Sequence, residues 1–198
     1  MSNQNSRDSY VWYAAYGSNM CAERFECYIL GGQSRHGGKP LQGCTDKTLP
    51  PANKPFTIPY KLYFSRNSSN WDDGGVAFID THKETNASHF TFSRIWKITR
   101  RQFDEIKAQE GTWYDLTIGL GEVDGISVKT FTSGRKTAGT RSGDRYLKTI
   151  VEGLHETVKL SKEDICVYLL AKEGIKGYYT LETMMNLVKS SDTGGDTK

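Results

Sequence analysis

The sequence predicts an α+β fold. Aromatic and β-branched strand segments dominate its first two thirds, and helix-period apolar patterns fill its last third. A capping box at Thr99-Arg100-Arg101-Gln102, in which the threonine caps and the glutamine reaches back, inserts a short helix between the two regions. With 198 residues the chain is long enough for one well-cored domain, expected over residues 10–189 with polar tails at 1–9 and 190–198.

Each element follows from local composition. Tyr10-Val-Trp-Tyr-Ala-Ala-Tyr16 is a strand that runs into Gly17. Asn19 can N-cap a helix from Met20 to Leu30, with Cys21, Phe25 and Tyr28 along one face. Residues 31–59 hold five glycines and all five prolines of the chain without a periodic apolar pattern, which predicts a long inserted loop. Strands are expected at Tyr60–Ser65, Gly75–Asp80 and Phe90–Ile98, with a turn at Asp72–Gly75. The capped helix runs to Gln109 or Glu110 and stops at Gly111. Strands near Tyr114–Ile118 and Ile126–Phe131 follow, then a helix over Tyr146–Leu154 and another from Ser161 to about Gly174. Leu181, Met184, Met185 and Val188 mark a last amphipathic helix whose methionines read as core.

Bulk properties exclude several classes. Hydrophobic residues are 36% and charged residues 25%, as in a globular protein, and the apolar runs are too short to span a bilayer. A net charge of +3 with scattered basic residues does not predict a nucleic-acid surface. The polar N-terminus lacks an apolar signal-peptide region, so the expected location is the cytoplasm. Cys21, Cys27, Cys44 and Cys166 lack metal-ligand spacing, and His36, His82, His89 and His155 are dispersed, so free thiols and no metal are expected.

Two features carry chemistry. Tyr16-Gly17-Ser18-Asn19 joins a strand to a helix, where unpaired N–H groups and a partial positive charge favour anions or polarised carbonyls. The same four residues also suit an ordinary capped turn. Glu110 lies four residues after Ile106 and seven after Phe103, on the apolar stripe of its helix and at its negative end. Burial and the local field would raise its pKa and suit it to proton transfer. A frayed helix end with Glu110 in water is the alternative.

Together these features resemble the γ-glutamylcyclotransferase-like superfamily. The resemblance extends to Gly74-Gly75-Val76-Ala77, to the unit from Arg94-Ile-Trp-Lys-Ile98 through Gln109-Glu110-Gly111, and to Arg145-Tyr146-Leu147 followed by Ile150, Gly153 and Leu154. It implies a small mixed β-barrel flanked by helices, to which residues 31–59 are an insertion. It further implies cyclisation of a small γ-glutamyl amide to 5-oxoproline, without metal or organic cofactor. Glu110 would be the general base and acid. Tyr16, Gly17, Ser18 and Asn19 would hold the glutamyl end, and Tyr114 and Tyr146 would line the pocket. Arg35, His36 and Lys39 of the insertion suit a substrate carboxylate. A homodimer is possible, with no nucleic acid or membrane partner. The competing readings are a non-catalytic metabolite-binding module and an interaction protein that uses Tyr178 and Tyr179.

Overall fold

The computed structural model describes residues 9–191, so the two expected tails lie outside the described residues except for Ser9, Ser190 and Ser191. The strands are β1 (Tyr10–Ala15), β2 (Asn53–Ile58), β3 (Tyr60–Ser68), β4 (Gly74–Lys83), β5 (Thr91–Thr99), β6 (Leu116–Val123) and β7 (Ile126–Thr132). The helices are α1 (Ala22–Leu30), α2 (Arg100–Glu110), α3 (Asp144–Thr157), α4 (Lys162–Leu170) and α5 (Leu181–Ser190). Five strands form one mixed sheet in the order β2-β5-β1-β7-β6, and β3 and β4 form a separate hairpin.

β1 lies at the centre, antiparallel to β5 and parallel to β7. Residues Val11 to Ala15 are all buried, as expected for a strand covered on both faces, which is why its sequence is continuously apolar instead of alternating. Tyr13 stacks on Phe131 of β7 at 5.0 Å between ring centres, and Phe25 of α1 stacks on Trp96 of β5 at 4.6 Å. These pairs join sheet to helix in one apolar core.

The hairpin closes against the sheet through threonine hydroxyls instead of a continuous ladder. Thr132 Oγ1 accepts from the Ile79 N–H at 3.1 Å and donates to the Ile79 carbonyl at 2.8 Å, joining β7 to β4. Thr91 Oγ1 of β5 donates to the Tyr60 carbonyl of β3 at 2.6 Å. Both threonines are fully buried, so each hydroxyl satisfies backbone groups that a closed ladder would have paired.

Four expectations change. The inserted segment contains β2, an edge strand antiparallel to β5; Pro55 obscured it, and an edge position is where a strand tolerates proline. Asn19 does not cap α1: Ser18–Met20 is a 3-10 turn, Cys21 is the cap residue, and the Ala22 N–H is satisfied by Glu156 Oε2 of α3 at 3.0 Å. β6 begins at Leu116, two residues after Tyr114, and α4 ends at Leu170, short of Gly174.

Candidate active site

α2 positions the central carboxylate. The capping box at Thr99 and Gln102 fixes its start, Phe103 and Ile106 anchor its buried face, and Gly111 ends it at φ +86°. One turn beyond Ile106, Glu110 is half-buried with its carboxylate in a cavity of about 400 Å³. A small inner recess shares Ser18, Glu110, Tyr114 and Tyr146 with that cavity, so the carboxylate stands where the two meet. The helix end is therefore not frayed into solvent.

Asn19 faces it from the other side. Its Nδ2 donates to Glu110 Oε1 at 2.6 Å, and its own carbonyl accepts from Trp96 Nε1 at 2.9 Å. The 3-10 turn thus leaves Asn19 free of helix capping and turns its amide onto the carboxylate. Its Oδ1 is buried with no partner among the described residues, an acceptor available to a ligand N–H. Desolvation raises the Glu110 pKa above the ordinary glutamate value, against the lowering influence of Arg24, Asn19, Tyr28 and Lys39. A carboxyl whose pKa is raised holds a proton more readily than an exposed glutamate does, which suits it to proton exchange with a ligand.

Gly17 is needed for close approach. A Cβ there would lie 2.8 Å from Tyr146 Oη and 3.2 Å from Ala77 Cβ. The two predicted pocket tyrosines bracket the Ala77 peptide. Tyr114 Oη donates to the Ala77 carbonyl at 2.9 Å, whereas Tyr146 Oη accepts from the Ala77 N–H at 3.1 Å. Tyr146 therefore keeps its own proton for an acceptor on the cavity side, where Ser18 stands. Tyr114 has already committed its proton.

Tyr16 lines the recess with its ring, but its hydroxyl donates to the Phe131 carbonyl at 2.8 Å and so serves β7. Of the three basic residues expected from the insertion, only Lys39 lines the cavity. Arg35 and His36 both pair with Glu152 of α3 instead. Arg24, which the sequence did not single out, is buried in the cavity wall. Nothing in Ala22-Glu23-Arg24-Phe25 separates it from an exposed helical arginine; only the fold shows where it points.

The insertion is fastened to the helix that carries Glu110. Gln102 Nε2 donates to the carbonyls of Asp46 and Thr48, Glu105 accepts from the Thr45 N–H and hydroxyl, and Gln109 Oε1 accepts from the Gly43 N–H. Leu41 and Lys39, just before this clasp, form part of the cavity wall.

Two groups of metal-ligand types that share Cys21 lie elsewhere among the described residues. Cys21 lies with Glu23 and His36, and with Glu152 and Glu156, at mutual ligand-atom distances within 4.8 Å. These carboxylates already pair with Arg35, His36 and Arg94 or accept from Ser34 and backbone N–H groups. Burial and the surrounding acids push the Cys21 thiol up to about 12, against the thiolate a metal would need. None of the five residues lines the Glu110 cavity. The four cysteines are free thiols, and no described helix is long and apolar enough to cross a membrane.

No family model matches the chain. A solved structure named gamma-glutamyl cyclotransferase superposes over 92% of this chain and 99% of its own, with a TM-score of 0.57 and 19% identity. An uncharacterized protein from Homo sapiens superposes over the same shares, with a TM-score of 0.57 and 20% identity. Among curated proteins, one named histone deacetylase 5 from Arabidopsis thaliana is 31% identical over 200 residues, an alignment of 80% of this chain and 30% of that protein. The chain thus spans about a third of the length of the curated relative it matches.

Proposed function

We propose, from the premise that the chain has the γ-glutamyl cyclotransferase fold, that it is an intramolecular acyl-transfer enzyme acting on a γ-glutamyl amide. The observation that carries this reading is the Asn19–Glu110 pair: a carboxylate of raised pKa, held at 2.6 Å by the turn that would hold the glutamyl group.

A γ-glutamyl amide contains its own nucleophile. The α-amine attacks the γ-carbonyl, forming the ring C–N bond, and Glu110 takes the proton that the nitrogen sheds. The carbonyl oxygen becomes an oxyanion, for which Tyr146 Oη, whose oxygen accepts from the Ala77 N–H, is a side-chain donor with a proton to give. Collapse breaks the original γ-amide bond, and Glu110 returns its proton to the departing nitrogen. The products are 5-oxoproline and the free amine, with no water or co-reactant consumed. Asn19 Oδ1 accepts from the α-amine, and the backbone of Gly17 and Ser18 holds the α-carboxylate.

The test is release of 5-oxoproline from a panel of γ-glutamyl amino acids, peptides and amines. Within it, Tyr146→Phe should lower kcat on the order of 100-fold, the usual cost of losing an oxyanion donor. Tyr114→Phe should cost about 1 kcal/mol of stability and have the smaller effect on kcat, because its hydroxyl serves the Ala77 carbonyl. Equal effects of the two on kcat would remove Tyr146 from the reaction.

The match to 30% of a longer curated protein favours a second reading, a metabolite-binding module within a larger polypeptide. That reading expects the panel to raise Tm without any 5-oxoproline appearing.

A further inference from the structure

We propose that Arg24 is the specificity residue for the leaving group, a receptor for a carboxylate borne next to the departing nitrogen. The inference rests on the cyclotransferase reading for its substrate but on independent geometry for its site. Arg24 is 4% exposed and lines the same cavity as Glu110. Its guanidinium is set between the rings of Tyr28 and Trp71, at 5.1 and 5.4 Å from their centres. Its side chain makes one hydrogen bond among the described residues, a long one from Nη2 to Tyr28 Oη at 3.4 Å. Nε and Nη1 are buried with no acceptor among the described residues.

A buried guanidinium with orphaned donors is costly, and a sequence that needed only packing there would carry an apolar residue. Glu110 offsets its charge only through space, since the two make no ion pair among the described residues, and leaves the orphaned donors without an acceptor. Nε and Nη1 lie on different edges of the guanidinium, and either one, together with a proton of Nη2, forms a fork for a planar carboxylate. Lys39, exposed at the rim of the same cavity, adds a second positive charge. The α-carboxylate of the glutamyl group is assigned to the Gly17–Ser18 backbone, so the acid that Arg24 receives belongs to the leaving side. The site therefore prefers a γ-glutamyl amino acid to a γ-glutamyl amine.

The experiment compares kcat/KM for γ-glutamyl-alanine and γ-glutamyl-ethylamine, which differ only in that carboxylate. The wild type should prefer the acid by about 10- to 100-fold, the range expected for hydrogen bonds to a charged group. Arg24→Gln should bring the two substrates within about threefold of one another. A wild-type ratio near one, or a ratio that Arg24→Gln preserves, would overturn the assignment. The wild-type ratio alone decides if the variant does not fold. Should the wild type turn over neither substrate, calorimetric titration with γ-glutamyl-alanine separates the two ideas. Binding that weakens at least tenfold in Arg24→Gln upholds the subsite while the enzymatic reading fails. Absent or unchanged binding sinks the subsite as well.

Discussion

Glu110→Gln should lower 5-oxoproline release by at least 100-fold and at the same time raise Tm at neutral pH. The loss follows because the glutamine can donate to or accept from Asn19 but cannot move a proton. The gain follows from the direction of the pKa shift. A carboxyl whose value is raised on folding holds its proton more tightly in the folded state than in the unfolded one, so its ionised form penalises folding. That penalty is fully present above the raised value. It is relieved as pH falls through the raised value towards the ordinary one of 4.5. The variant should therefore exceed the wild type in Tm at pH 7 and match it below pH 4 or so. By the same shift, the acid limb of the wild-type kcat/KM profile should lie above the ordinary glutamate range. Thermal melts at the two pH values, together with steady-state assays, check all three. Turnover by the variant within a few-fold of wild type would mean that another group is the base.

Gly153→Ala should be among the most damaging substitutions outside the cavity. An added Cβ would lie 2.4 Å from Met20 Cβ and 2.6 Å from both Cys21 N and Met20 C, so it meets backbone that cannot swing aside. Alanine is otherwise the better helix former by about 1 kcal/mol, and glycine in α3 is tolerated for the approach it permits. Overpacking of this kind costs about 1–3 kcal/mol. The segment pushed is the end of the Ser18–Met20 turn, so the Asn19 amide moves relative to Glu110. A displacement of about 1 Å costs on the order of 100-fold in rate. Denaturant unfolding should show a lower midpoint, with kcat/KM reduced in protein that is still folded. A more stable, fully active variant would show that α3 is not the seat of the loop.

Glu110 was legible because a helix has a phase. Four residues after Ile106 the side chain must share the buried face, and Gly111 fixed where the helix ends. Tyr16-Gly17-Ser18-Asn19 was legible as a strand-to-helix junction, since a glycine there implies close approach. The partner of Asn19 was not, because asparagine before an apolar run reads as a helix cap. Only the intervening 3-10 turn and the Glu156 cap release it. Tyr16 was assigned by its place in the motif, yet β1 aims its hydroxyl at Phe131. Arg35 and His36 sit in a segment whose pairing with Glu152 is 117 and 116 residues away, a distance no local pattern encodes. The strand at Asn53–Ile58 was hidden by Pro55, whose missing N–H matters only to a neighbour that an edge strand lacks.

The central place of β1 has a kinetic consequence. Its parallel partner is β7, in a register that sets Trp12 against Val128 and Tyr13 against Lys129. β1 must therefore wait for more than a hundred further residues before both its edges are covered. The turn that follows β1 waits longer still, until α3 arrives to seat it. Topology of this kind, with contacts far apart in sequence, slows folding and prolongs exposure of apolar strand surface. Asn19 and Gly153 stand 134 residues apart in sequence, with Glu110 between them. The Asn19–Glu110 pair is thus among the last parts to gain its full support, because α3 must be made before the turn is seated.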